Sequence, residues 1–481
     1  VLPLFFVADE ERPLNKENKC EPFIYGDGGK MKGKNLSTDL RNVQKRKTVI
    51  TVLLALVMAI ALICTAGCNC KGCTSKGDST SSDSYSDDTG DTGDSDDSDD
   101  TGDSLVKRIV VNGVEDNAKL CDDAIYEYFT AATQAEQIAA LQKYAKLTEE
   151  KGGKSVKFSW DGNGSVKYTL YLADNEQFDN AVKYTISGLV NEVDVYDLLP
   201  STTYFWKVGG TLYNDESEVS QFTTDDLSVR YIFADGAVNT RDLGGYAAQG
   251  GVVNYGKIYR GGIGSLTAEG KNGLKDELKI KTEIDLRGCA DKSAVGNASA
   301  SAYYNLTVGA YTDIFDYATW SALSDAARRK NCGNNGKYAA QIKKLFKVLA
   351  DENNYPVYVY DDKGADETGT IAFLINALLG VSEGDLIKDY ELSSFSKTVG
   401  ARYRSALNEG KTAFDESGVM VNDDKTKNFV AFGAMVNAVK GAYGSDGKSL
   451  SYAVESYLAD FVGVRITART KLYALTATDR L

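Results

Sequence analysis

No histidine occurs among the 481 residues of this chain. That absence excludes Ser-His-Asp triads, Cys-His nucleophile pairs and His-ligated zinc. Proline is scarce: Pro3, Pro13, Pro22, Pro200 and Pro356 make five, where average usage would give roughly 24. Cysteine is too thin for a disulfide framework. Of the eight, Cys64, Cys68, Cys70 and Cys73 lie at one apolar segment and its exit, and Cys20, Cys121, Cys289 and Cys332 are scattered. Cys68, Cys70 and Cys73 lack the fourth ligand and the surrounding fold of a structural zinc site. Cys289 and Cys332 could pair, but their spacing does not decide it. Positive charge is also in deficit, at a formal net charge of -14. Residues 78–103 account for most of it, with eleven Asp and no Lys or Arg; without those eleven the chain carries -3. A nearly neutral remainder excludes broad electrostatic binding of nucleic acid.

The residues that are present suit a multidomain globular protein. The length allows two or three domains, and 43% hydrophobic with 25% charged residues is enough to build cores. Residues 48–63, TVITVLLALVMAIALI, carry no charge; Lys45, Arg46 and Lys47 precede them and Thr65-Ala66-Gly67-Cys68 follow. A basic flank, an apolar run and a small-residue exit describe an export signal. The exit resembles that of a bacterial lipoprotein, which implies lipidation at Cys68; a plain membrane anchor is the alternative. Either reading places the remainder of the chain at the cell surface, outside the cytoplasm. Met31 opens a good signal n-region, so residues 1–30 are read as an upstream extension and 31–67 as signal or anchor. Residues 68–106 are the lipid-attachment Cys and a disordered Asp/Ser/Thr/Gly linker, which holds the rest off the membrane.

Residues 107–152 read as a helical connector, from the spacing of Ile125, Phe129, Ile138, Leu141 and Tyr144. Over 153–226 the period becomes two: Val156-Phe158-Trp160, Val166-Tyr168-Leu170-Leu172 and Tyr204-Trp206-Val208 alternate. This predicts a small all-β sandwich. Trp160 and the run from Leu199 to Trp206 resemble a fibronectin type III module, which implies a spacer or a partner-binding unit. From 229 to 481 strands and helices alternate. Strands are expected within 252–260, at 281–287 and at 355–360. Helices are expected near 267–277 and over 367–379, the second with Ile371, Leu374, Ile375 and Leu378 on one face. The class is α/β, a central sheet flanked by helices.

Strand 355–360 leads through a Gly-containing loop into that second helix. Such a join aims loop amides and a helix N-terminus at an anion. Its sequence is Tyr360-Asp361-Asp362-Lys363-Gly364-Ala365-Asp366-Glu367-Thr368-Gly369. Upstream stand Asn239-Thr240-Arg241-Asp242-Leu243-Gly244-Gly245-Tyr246, then Arg260, then Asp285-Leu286-Arg287; downstream runs Asp389-Tyr390-Glu391-Leu392. In this order the domain resembles the bacterial tyrosine-phosphatase-like family, of the cysteine-dependent dual-specificity type. That family's loop reads His-Cys, two residues, Gly, one residue, Asp-Arg-Thr-Gly. The resemblance implies the His position at Tyr360, the nucleophile position at Asp361, the general-acid position at Asp366 and the phosphate-gripping Arg position at Glu367. Asp362, Lys363, Gly364, Ala365, Thr368 and Gly369 supply the loop backbone. Gly244-Gly245 fits a tight turn, and Arg241, Asp242, Asp285 and Arg287 fit either ion pairs that hold strands or the lining of the cleft rim, with no catalytic role.

The departures fall on the chemistry. A thiolate attacks phosphorus and an Arg fork grips two phosphate oxygens; a carboxylate does neither job in the same way. One like charge ~4 Å from a phosphate costs about 4 kcal/mol at an effective dielectric of 20. The expectation is a pseudophosphatase that binds a protein or phospho-ligand, or scaffolds. One alternative is an active phosphatase on phosphotyrosine, phosphoserine, phosphothreonine or phosphoinositide, with Asp361 attacking. The other is an adhesive lipoprotein acting through the β-sandwich. No cofactor is expected. Ca²⁺ or Mg²⁺ could suit the loop acids, but a solvated charged loop is preferred and no metal ligand is assigned.

Overall fold

The computed structural model describes residues 108–144, 149–288, 293–296, 302–309, 335–399, 427–465, 472 and 475–477. The signal or anchor at 31–67, Cys68, the acidic linker, residues 1–30 and the Cys289 and Cys332 pair lie outside them. Among the described residues no helix is long and apolar enough to cross a membrane.

The segment read as a helical connector begins differently. Residues Val110–Asn112 form strand β1, which pairs antiparallel with the first strand of the following β-module. Two helices come next, α1 (Asp123–Thr130) and α2 (Gln134–Lys143). Thr133 starts α2 with a capping box: its hydroxyl accepts from Glu136 N at 3.2 Å and Glu136 accepts from Thr133 N at 2.8 Å. The β-module contains β2 (Val156–Asp161), β3 (Lys167–Ala173), β4 (Val182–Ser187), β5 (Glu192–Val195), β6 (Thr203–Gly210) and β7 (Ser220–Thr223). They form one antiparallel sheet in the order β1-β2-β5 and another in the order β4-β3-β6-β7. Alternate residues of both sheets enter one core, with Phe158 and Trp206 edge to face at 4.9 Å. At the entry to β6, Leu199 N donates to the Tyr204 hydroxyl at 3.0 Å.

The α/β domain follows with β8 (Val238–Asp242), β9 (Ala247–Ala248), β10 (Gly251–Val253) and β11 (Ile258–Gly262). Helix α3 (Ala268–Asn272) runs on as a π-helical turn, Gly273–Glu277. After it come β12 (Thr282–Asp285), β13 (Ala302–Asn305), α4 (Asn335–Leu349), β14 (Val357–Asp361), α5 (Glu367–Leu378), α6 (Glu383–Leu392), α7 (Lys427–Tyr443), α8 (Leu450–Ser456) and β15 (Thr476–Ala477). The main sheet has the order β13-β12-β14-β11-β8, parallel except for β8 at one edge. Helix α5 carries more than one apolar face: every residue from Thr368 to Leu378 is buried. It lies between the sheet and α7 and α8, with Phe373 against Phe432 at 5.8 Å. A helix apolar on all sides belongs in a core. The parallel strands β11, β12 and β14 bring Gly262, Asp285 and Asp361 to one edge of the sheet, and there the loop sits.

Candidate functional site

Strand β14 ends at Asp361, and the loop from Asp362 to Asp366 turns the chain into α5. Gly364 makes the turn possible: its φ is +68°, and a Cβ would run into the backbone of Gly261 and Gly262. The turn points three backbone amides and one hydroxyl at a single carboxylate, that of Asp361. Oδ1 accepts from Lys363 N at 2.7 Å and Gly364 N at 2.5 Å; Oδ2 accepts from Thr368 N at 3.1 Å and Thr368 Oγ1 at 2.9 Å. Asp361 is only 7% exposed. The expected solvated loop is therefore wrong at its central acid, because these donors draw the carboxylate inward. Asp362 and Lys363 do reach solvent, and Asp366 and Glu367 are half-buried at the start of α5. Gly369 N donates to Ala365 O at 3.1 Å, the first turn of the helix.

The outer side of the loop is held from two strands. The Gly364 carbonyl accepts from Asn239 Nδ2 at 2.9 Å and from Arg260 Nη2 at 2.7 Å. Arg260 and Arg241 share the carboxylate of Asp389, at 2.5 and 2.8 Å. Arg241 Nη1 also donates to Asn239 Oδ1 at 2.6 Å, and Arg241 Nη2 to Asp389 O at 2.7 Å. All four residues are buried. Burial alone would raise the Asp389 carboxyl; the two guanidiniums outweigh it and hold the group below its usual range. Asn239, Arg241 and Arg260 thus converge on the loop as a supporting network.

The other motif residues go elsewhere. Asp242 pairs with Arg230 at 3.0 Å and accepts from Gly244 N and Gly256 N at 2.9 and 2.8 Å, closing the tight turn in which Gly245 has φ +92°. Asp285 forms a local pair with Arg287 at 2.6 Å. Tyr360 turns away from the loop: its hydroxyl donates to buried Glu283 at 2.9 Å and accepts from Ala294 N at 3.2 Å. Burial first, then the carboxylates of Glu283 and Asp285, push that phenol well above its ordinary pKa.

Sequence reasoning gave no role to Asp389, Glu283 or Glu150. Asp389 follows buried Leu386 by three residues and precedes buried Leu392 by three, so an acid on the inner face of α6 was the available signal. Glu150 accepts from Asn239 N at 2.7 Å and from Lys397 N and Ser396 Oγ, both at 3.1 Å. It ties the chain ahead of the β-module to the rim beside the loop, and no local pattern marks it.

A family model described as tyrosine phosphatase family matches residues 232–475. Among solved structures, the core catalytic domain of the PP-IP phosphatase SIW14 from S. cerevisiae, in complex with citrate, is similar at 15% identity. That match covers 32% of this chain and 78% of the other, with a TM-score of 0.22. TpbA from P. aeruginosa is similar at 16% identity over 29% of this chain and 71% of its own, with a TM-score of 0.20. No curated protein sequence matches the chain.

Proposed function

This chain belongs to the tyrosine phosphatase family, and from that premise we propose that it is a pseudophosphatase, acting by binding or scaffolding rather than by hydrolysis. One observation carries the reading: the Asp361 carboxylate occupies the donors of its own loop. A carboxylate whose oxygens are engaged by four donors has little electron density to give, so it is a poor nucleophile as well as a poor neighbour for phosphate. Glu367, where the family has its Arg, adds negative charge at the same helix end. Lys363 is the loop's single basic residue, and its side chain faces solvent.

The β-module is a fibronectin type III-like spacer, supported by its two-sheet core and the Leu199–Tyr204 corner. The apolar segment and Cys68 attach the protein to the membrane on the extracytoplasmic side. The partner is a protein, bound without turnover.

The test is hydrolysis of a generic aryl phosphate by the purified protein, beside Asp361→Cys combined with Glu367→Arg. An inactive native chain and an active double variant are expected, since the supporting network of Asn239, Arg241, Arg260 and Asp389 stays in place. Turnover by the native chain that Asp361→Asn abolishes would replace this reading with a carboxylate nucleophile.

A further inference from the structure

Ten large apolar side chains are exposed among the described residues, and six of them gather at one end of the β-module: Val110, Val166, Leu189, Val190, Leu212 and Tyr213. Three loops build that tip. Gly188 N, after β4, donates to Val166 O at 2.9 Å, and Leu212 N, after β6, donates to Ser165 Oγ at 2.9 Å. Leu189 is 96% exposed, Val166 84% and Tyr213 71%. Single exposed apolar residues are ordinary, but a gathering of them marks an interaction surface. Residues 162–166, 187–191 and 211–214 hold no charged side chain, in a chain that is 25% charged.

Tyr213 is an independent sign. With Asn214 it turns the hairpin after β6, at φ of +60° and +50°, and Asp215 N closes the turn on Leu212 O at 3.3 Å. Asparagine accepts that conformation, whereas tyrosine is strained in it; glycine or asparagine would turn the chain at lower cost. The turn therefore does not account for the exposed ring.

The course of the chain indicates what covers the tip. Ile109 N donates to Asp215 Oδ2 at 3.1 Å, and Val110 pairs with Asp161 at the end of β2. The chain thus enters the module at this tip, with the apolar run 48–63 upstream. The phosphatase-like domain meets the other end, where Asp197 Oδ1 accepts from Phe233 N at 2.8 Å. Residues 64–107, as a flexible tether, span about 40 Å. Such a tether keeps the tip within reach of a membrane without forcing contact, so the tip's own side chains decide. Loops without charge suit lipid, where a charge is costly, better than a protein interface with its polar rim. Around them Arg108 and Lys167 stand exposed beside exposed Asp161, a mixture of signs with no strong pull toward anionic lipid.

We propose that this tip is a membrane-contact surface: Val166 and Leu189 enter between lipid headgroups, Tyr213 lies at the interface, and the β-module stands on the bilayer with the phosphatase-like domain outward. The proposal rests on residues 48–63 and Cys68 being the membrane attachment.

The test uses full-length Tyr213→Trp with phosphatidylcholine vesicles whose acyl chains carry bromine, a quencher, after subtraction of the native protein's emission. The added emission should be lost relative to unbrominated vesicles. Adding Val166→Asp and Leu189→Asp should restore it; both side chains are too exposed for the changes to disturb the core. Flotation with the vesicles reads the attachment separately. Protein that floats but shows no quenching at 213, or equal quenching in the Asp variant, would overturn the tip and leave the attachment standing. Flotation that the Asp substitutions abolish would support the tip and overturn the attachment. No flotation at all would overturn both. A dimer in detergent that Leu189→Asp dissolves would overturn the lipid contact in favour of a second copy of this chain.

Discussion

Four donors converge on the Asp361 carboxylate, and they set what a substitution there will do. Asp361→Ala leaves three amides, two of them buried, without their shared acceptor. The loss should be about 2–3 kcal/mol, the scale of one charge-assisted hydrogen bond, because neighbouring bonds are not additive. The same amides become available to an external anion. Millimolar phosphate or sulfate should then raise the melting temperature of Asp361→Ala and leave the native protein unchanged. A variant indifferent to both anions would mean that the loop no longer forms an anion cradle. Asp389 offers a second case. Its carboxyl is held below the ordinary range, so it stabilises the fold fully above that range, and this stability is lost as pH falls through the lower folded value. Asp389→Asn leaves the buried Arg241 and Arg260 without their shared charge and should cost about 3–5 kcal/mol at neutral pH. The deficit should shrink in denaturant titrations as the pH is lowered, and a deficit constant with pH would remove Asp389 from this role. The swapped charges at 361 and 367 were legible in the sequence because a family pattern fixed the positions. The inward turn of Asp361 was not, since it depends on where Gly364 and Thr368 aim their amides.

Secondary structure was most legible where one period ran uninterrupted. The alternation through Trp160, Leu170 and Trp206 gave the inner faces of β2, β3 and β6 correctly, because each strand has one buried side. Helix α5 was placed within a residue, yet its surroundings were misread. The spacing of Ile371, Leu374, Ile375 and Leu378 suggests a single apolar face, while Ala372, Phe373 and Ala377 are as deeply buried, since α7 and α8 cover the far side. Strand β1 was missed because three residues, of which Val110 and Asn112 are exposed, carry no usable period. The loop that starts α5 depends on one glycine. Gly364→Ala meets both a positive φ and the backbone of β11, and should destabilise by about 2 kcal/mol or more in urea titration. An unchanged midpoint would show that the loop can relax away from β11, and with it that Asp361 is not rigidly held.

The two modules touch at the Asp197–Phe233 contact, and a second, buried surface joins the chain ahead of the β-module to the phosphatase-like domain. Helix α1 buries Ile125 and Tyr128 against Leu392 and Phe395 at the end of α6. The Tyr128 hydroxyl donates to Glu391 at 2.5 Å, and its ring meets Phe395 at 5.9 Å. Lys151 N donates to Phe395 O at 3.2 Å, and Glu150 reaches Asn239, Ser396 and Lys397. The chain ahead of the β-module thus returns to the rim of the phosphatase-like loop. No sequence period predicts this, because all of these contacts but the Glu150–Asn239 bond link residues more than 200 apart. Truncating two buried side chains of this size removes about 4–8 kcal/mol of packing if their losses add. That is comparable to the whole stability of a typical domain. Calorimetry of the native protein should therefore show one transition for both modules, and Ile125→Ala with Tyr128→Ala should split it in two. The lower-melting component should then carry the fluorescence change of the buried Trp160 and Trp206, which belong to the β-module alone. Two transitions already present in the native protein would mean that this surface does not couple the unfolding of the modules.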